Sequence, residues 1–483
     1  MFGRNENIID DYSTIIYAGT VAISIGLGVS AYYYKKTAAK IAEITAKSDA
    51  NQYDDWKSSF KNVKLPAAFV DLDAFDGNLE KLVKIVKKNN QHSNQKPKTI
   101  RIATKSLRSP ELIQRALKNG GGLMQGVMSY CVDEAWFLAT KYQIKDILIA
   151  YPTVNEADLI NLRMLHVAGH NVKLVVDCVE HLHAISKAMA GVRQPFQVVI
   201  ELDPSIDLGF LHIGAERSPI RTLAQLQQLL HASKNFTSIK VIGVMAYESA
   251  VAAITDANPN YNFFWNSTYK AVRSVSAFYA ARIRAGVPGV FAAEGITLEL
   301  FNGGGTGSID TASAEKSGLT EVTFGSGLLK PHLFDYCSNL TKVGLEPAIY
   351  FAIPVSRKSA DGKRITCFEG GYIASGQAGN DRFPVAVMPV GLVATKDEGY
   401  GEVQTPLFVT KNNAPEIGEP VFCRPAKAGD LASRFNVYHA FTQQTFFGVV
   451  TPEMDSTLIE SKLQSEEFEV VEMKTYRGLG TGF

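Results

Sequence analysis

TIRIATKSLRSPEL, residues 99–112, is the stretch on which the fold turns. Its first half alternates β-branched and small residues, as a buried strand does. Its second half opens with Ser109-Pro110-Glu111, a helix start: a capping hydroxyl, a proline in the first turn and an acid after it. Strand, lysine and helix thus follow one another in fourteen residues, with Lys105 at the strand's C-terminal end.

The same alternation repeats on both sides. Apolar runs occur at 67–73 (AAFVDLD), 99–105, 122–128 (GLMQGVM), 146–152 (DILIAYP), 173–178 (KLVVDC), 196–203 (FQVVIELD), 239–248 (IKVIGVMAYE) and 298–305 (LELFNGGG), separated by segments with helical spacing. Alternating β and α means a parallel sheet. Eight units predict a closed (β/α)8 barrel of the TIM type over residues 65–335, and a doubly wound open sheet is the alternative. From 336 to 483 the runs become short, rich in Val and Phe, and broken by Gly, Pro and Asn. This predicts an antiparallel β domain.

The N-terminus reads differently. Tyr12 to Tyr34 holds no charged residue and is long enough to cross a bilayer core of about 30 Å. Tyrosines sit at both ends, and Lys35, Lys36, Lys40 and Lys47 follow. A single transmembrane anchor is expected over residues 1–36, with the remaining domains on the cytoplasmic side. The acidic start (Glu6, Asp10, Asp11) argues against a cleaved signal peptide. Ala18, Ala22, Gly26 and Ser30, four apart, would line one face of the span. Residues 37–64 read as a linker in which Trp56 and Phe60 can pack on the main body.

Composition narrows the function. The 483 residues are 46% hydrophobic and 20% charged, with net charge +1 and no basic run, so nucleic-acid binding has no electrostatic support. Cys131, Cys178, Cys337, Cys367 and Cys423 are scattered and form no CxxC pair, which fits reduced thiols.

Catalytic groups of a barrel stand at the C-terminal ends of its strands. Lys105 is placed there; it is either a solvated loop lysine or an amine able to form a Schiff base with a carbonyl. Asn302-Gly303-Gly304-Gly305-Thr306-Gly307-Ser308 ends the last of the eight runs, where backbone N–H groups and two hydroxyls can converge on an anion. The alternative is a flexible turn. A dinucleotide fingerprint does not fit, since the GxGxxG spacing is absent. A second glycine loop, Phe324-Gly325-Ser326-Gly327, can close the same anion site. One lysine and two anion loops on one rim suggest a phosphorylated carbonyl cofactor.

Residues 66–335 resemble the alanine-racemase-type barrel of fold-type III pyridoxal-phosphate enzymes, in particular the D-threonine aldolase and D-serine dehydratase branch. The matching pieces are PAAFVDLDAFDGNL (66–79), RIATKSLRSPEL (101–112), GVMAYE (243–248), FNGGGTGS (301–308) and EVTFGSGLLKPHLFD (321–335). The resemblance implies pyridoxal 5'-phosphate as cofactor, Lys105 as its Schiff-base lysine, Gly303 to Gly307 as phosphate ligands and a site role for Tyr247. It implies a homodimer and a lyase acting on a D-β-hydroxy amino acid. A racemase or epimerase, or a membrane-attached regulatory protein without turnover, is the alternative.

The departures are specific. Ala103 and Leu107 stand where that branch has histidines beside its lysine. Lys427 and Gly429 stand near the positions of its two metal ligands; neither is a ligand type, so no metal is expected. The run from Glu201 to Leu208 lacks an arginine often found there, and Arg217 is the possible substitute. Lys427, Asp430, Tyr438 and His439 are the β-domain candidates for a second acid or base, reaching the site across a dimer interface.

Overall fold

The computed structural model describes residues 50–481 apart from 94, 208, 211, 412, 413 and 445–466. Eight parallel strands close a barrel: β2 (Thr99–Ala103), β3 (Met124–Ser129), β4 (Asp146–Ile149), β5 (Asn171–Val176), β6 (Phe196–Glu201), β9 (Ile239–Met245), β10 (Leu300–Gly303) and β11 (Glu321–Phe324), with β11 pairing back onto β2. A two-stranded hairpin, β7 (Ile206–Asp207) with β8 (His212–Ile213), projects after β6.

The helices between strands bury one apolar face against the barrel. Leu72–Gln91 does so with Phe75, Leu79, Leu82, Val83 and Val86, at the spacing of one helical stripe, and the Asp71 carboxylate caps its start by accepting from the Ala74 N–H at 2.9 Å. Leu148, Val175, Val199, Ile242 and Leu300, from five successive barrel strands, pack as a separate cluster. At the N-terminal end of the barrel, buried Arg101 holds Glu321 through two parallel bonds (2.7 and 2.9 Å) and Asp146 at 2.9 Å, and Lys173 joins Asp146 at 2.9 Å. This charged layer closes the end opposite the strand-end loops.

The barrel has eight strands as expected, but not the expected eight. The run at 67–73 contributes β1 (Ala67–Asp71), which lies outside the barrel. The eighth place belongs to Glu321–Phe324. In β1, Ala67 to Val70 are all buried, and a strand covered on both faces reads alike in a barrel or between other layers. β1 sits in a nine-stranded sheet, antiparallel to β12 (Ile349–Lys358) and parallel to β18 (Val437–Gln444). That sheet also contains β13 (Arg364–Phe368), β14 (Val385–Met388), β15 (Leu392–Ala394), β16 (Gln404–Val409), β17 (Pro420–Arg424) and β19 (Glu467–Lys474). The β domain therefore borrows a strand from the N-terminal side of the barrel.

Within the expected linker, residues Ala50–Ser59 form a helix. Trp56 packs edge-on against Phe422 (5.2 Å) and Phe441 (5.0 Å), and Phe60 lies 4.6 Å from Phe69 of β1. Among the described residues no helix is long and apolar enough to cross a membrane. The anchor expected over Tyr12 to Tyr34 lies outside the described residues.

Candidate active site

A cavity of about 610 Å³ opens at the C-terminal ends of the barrel strands, inside the range of about 300–1,000 Å³ that small-molecule sites occupy. Each wall comes from the residue just past a strand: Lys105 after β2, Tyr151 after β4, Glu201 ending β6, Tyr247 after β9, Gly304 to Thr306 after β10, and Gly325 and Ser326 after β11. Residues 252–255 with Tyr261 and Tyr269 add a further side, and the β domain of the same chain adds another, through Ser375, Asp381, Arg382 and Lys427 to Asp430.

Lys105 lies in a short 3-10 turn, Thr104–Ser106, and its Nζ donates to the Tyr151 hydroxyl at 3.1 Å. The turn is held by Thr104 Oγ1 donating to the Met128 carbonyl at 2.9 Å. The β domain presses on it from above. A Cβ at Gly429 would come within 2.1 Å of the Lys105 carbonyl oxygen, so no side chain fits at 429. Glycine at this position, expected to fail as a metal ligand, is what lets the two domains close over the lysine.

The glycine loop divides into a front and a back. At the front, the N–H groups of Thr306 and Ser326 donate to no protein acceptor among the described residues. Thr306 Oγ1 accepts from the Gly327 N–H at 3.0 Å, which leaves its own proton for another acceptor. The Ser326 and Ser106 hydroxyls lie 2.8 Å apart beside it. These donors form a concave, uncharged nest for an anion. Gly305 has no room for more: a Cβ there would meet Tyr247 Cε2 at 2.9 Å and Ala252 Cβ at 2.8 Å.

At the back, Gly303, Gly307 and Ser308 do not line the cavity. The Ser308 hydroxyl, expected to face an anion, donates to Glu248 Oε1 at 2.5 Å and accepts from the Gly305 N–H at 2.9 Å. Glu248 Oε2 accepts from the Gly304 N–H at 3.0 Å and pairs with buried Arg284, which also holds Glu315 at 2.8 Å. Gly304 itself has φ +83°, and its N–H is turned inward to that carboxylate. Glu248 thus sets the loop's shape from behind.

Burial raises the Tyr247 phenol above its ordinary range, and Arg217 opposes this. Burial lifts the Glu201 carboxyl to about 7; Asp177 adds to the rise and Arg217 works against it. Arg217, the possible substitute for the missing arginine, stands on the cavity wall with both. Lys427 and Asp430 reach the cavity from the same chain as Lys105, so neither needs a second copy to get there. Tyr438 and His439 do not line it: the Tyr438 hydroxyl donates to the Leu107 carbonyl at 3.3 Å, and His439 packs against Phe69. Ala103 and Ser106 line the cavity, and Leu107 is fully buried. Among the described residues one group of metal-capable side chains lies outside this constellation, Asp177, Cys178 and His181 after β5, with ligand atoms within 4.8 Å of one another.

Residues 70–286 match the family described as alanine racemase, N-terminal domain. The fold is similar to that of the D-threonine aldolase from Filomicrobium marinum (TM-score 0.67, 20% identity, covering 87% of this chain and 96% of that one). It is also similar to D-threo-3-hydroxyaspartate dehydratase from Delftia sp. HT23 (0.62, 18%, 86% and 97%) and to alanine racemase from Corynebacterium glutamicum (0.51, 16%, 74% and 90%). No curated protein matches the chain by sequence.

Proposed function

We propose that this chain, whose residues 70–286 match the alanine racemase N-terminal domain and whose fold is similar to that of a D-threonine aldolase, is a fold-type III pyridoxal-phosphate enzyme, and that it is a lyase acting on a β-hydroxy amino acid of D configuration. The observation that carries the reading is the meeting of the Lys105 amine and the Thr306–Ser326 anion nest in one cavity roofed by the chain's own β domain. Support for a lyase over a racemase comes from the degree of fold likeness, which is higher to the aldolase and the dehydratase (TM-scores 0.67 and 0.62) than to the alanine racemase (0.51).

The residues fit pyridoxal phosphate. Thr306 and Ser326 would hold the phosphate through N–H and hydroxyl donors, in a nest whose shape needs glycine at 304 and 305. Lys105 would hold the carbonyl carbon. When bound, the cofactor supplies an electron sink for the charge that develops at the substrate's Cα. The rest falls to the chain. The Lys105 amine, oriented by the Tyr151 hydroxyl, is placed to take the Cα proton. A leaving oxygen on Cβ would meet the β-domain wall. There the Ser375 hydroxyl donates to Asp430 (3.1 Å) and accepts from Lys427 (3.2 Å), a pair that can supply a proton and take up its loss. Burial lowers the Lys427 amine, Asp430 opposes that, and Arg382 and Lys105 push the same way as burial, so Lys427 gives up a proton more readily than a free lysine.

The deciding experiment incubates the cofactor-loaded protein with D- and L-β-hydroxy amino acids and scores keto acid, aldehyde and change of chirality. Keto acid or aldehyde from the D forms supports the proposal. Chirality change alone makes it a racemase, and no product from any amino acid makes it a non-catalytic protein.

Two further expectations arise here. Dialysis against a chelator is expected to leave turnover unchanged, because Lys427 and Gly429 occupy the ligand positions; a loss restored by a divalent ion would refute this. We also propose that residues 1–36 anchor the chain in a membrane with the enzyme on the cytoplasmic face. Full-length protein should then sediment with membranes, and protein lacking 1–36 should stay in the supernatant with the same circular dichroism per residue. Full-length protein that remains soluble without detergent would refute the anchor.

A further inference from the structure

The β-domain wall of the cavity carries two cations, neither of which is hydrogen-bonded to a carboxylate among the described residues. Arg382 and Lys427 come from separate loops, yet both heads approach Gly376. An ideal Cβ there would lie 3.7 Å from Arg382 Cζ and 3.8 Å from Lys427 Nζ. The Arg382 guanidinium donates no hydrogen bond among the described residues, and its Nε is buried without a partner. Its nearest carboxylate, the adjacent Asp381, stands 3.8 Å away. Lys427 spends its donors on the Ser375 carbonyl (2.7 Å) and hydroxyl (3.2 Å). Two like charges held together in a partly buried site repel, and a guanidinium whose single carboxylate contact, Asp381 at 3.8 Å, is too long for a hydrogen bond leaves its fork of donors unused. An anion placed between them removes both penalties.

The cofactor's phosphate is not that anion, because its nest is built from uncharged donors on the barrel, after β10 and β11. With the cofactor held by that nest and by Lys105, the β-domain wall, including the Ser375 hydroxyl, would face the part of a substrate that projects beyond Cα. Resting on the lyase reading above, we propose that Arg382 and Lys427 bind a carboxylate on the substrate's side chain, so that the substrate class is the dicarboxylic β-hydroxy amino acids. A hydroxyl and a carboxylate on neighbouring carbons would then meet Ser375 and the cation pair together.

Aspartate and asparagine differ by one charge, and neither carries a β-hydroxyl to eliminate. Titration of each enantiomer into the cofactor-loaded protein, followed by the change in the cofactor's visible band and by calorimetry, therefore reads binding without β-elimination. Wild type is expected to bind one enantiomer of aspartate at least about 10-fold tighter than the matching asparagine, as befits a charge-assisted forked contact. In Arg382→Met the preference is expected to collapse toward unity with asparagine affinity unchanged, and Arg382→Lys should keep part of it. Equal binding of the two ligands by wild type would overturn the inference while leaving the amino-acid reading intact. A parallel loss of both ligands in Arg382→Met would also overturn it, by assigning the pair to the α-carboxylate. A protein with no visible band after loading would overturn the inference together with the reading beneath it.

Discussion

Lys105→Ala should bind no cofactor covalently, show no visible cofactor band, and lose turnover by at least about 1,000-fold, within the range for removing a positioned acid–base group. Several lysines are buried, but most are committed elsewhere: Lys98 to the carbonyls of Ser313 and Glu315, Lys173 to Asp146, Lys330 to Asp335. Lys105 and Lys427 are the amines that line the cavity. Borohydride reduction of the loaded wild type, followed by peptide mass mapping, separates them. An adduct on Lys105 is expected. An adduct on Lys427, or one that persists in Lys105→Ala, would move the chemistry from the barrel to the β domain.

The second large effect is expected at a residue that touches no ligand. Glu248 accepts from the Gly304 N–H and the Ser308 hydroxyl and pairs with Arg284, all in the interior. Glu248→Leu strands these donors. Breaking a buried ion pair costs about 3–5 kcal/mol, and the lower end is expected because Glu315 still holds Arg284. Glu248→Gln keeps the shape but turns one acceptor into a donor that faces other donors. Both variants should lose stability in urea unfolding, and both should need at least about 10-fold more pyridoxal phosphate for half-saturation of the visible band. Wild-type affinity in a destabilised Glu248→Leu would show that the loop keeps its shape without the carboxylate.

The rim of the barrel was readable in the sequence because it depends on local order. A strand that ends in Lys105 and a helix that begins after Ser109 place the amine at the strand's C-terminal end, whatever the neighbours are. The place of the glycine loop on that rim was readable for the same reason. Its inner partner was not: Glu248 follows Tyr247 in a motif that stood out, but its bonds run to Gly304, Ser308 and Arg284, and no spacing announces such contacts. Strand membership failed in the same way. Ala67 to Val70 and Glu321 to Phe324 are both fully buried tetrapeptides. Which of them completes the barrel is decided by long-range pairing. Arg382 was missed because it lies in a polar loop, where an arginine is ordinarily solvated.

The placement of β1 has a consequence for how the chain is made. Phe69 pairs with Tyr350 on one side and His439 on the other. Of the described strands, the first to leave the ribosome must therefore wait for residues 349–352 before one edge is satisfied and for residues 438–441 before the other is. All eight strands of the barrel are synthesised in between and can close without it. Contacts so distant in sequence are slow to form, and an apolar strand with two open edges is prone to pair with the wrong chain while it waits. Closure of the roof over Lys105 is then among the last events of assembly, so a nascent chain passes through a stage in which the barrel is complete and the Lys105 amine is still open to water.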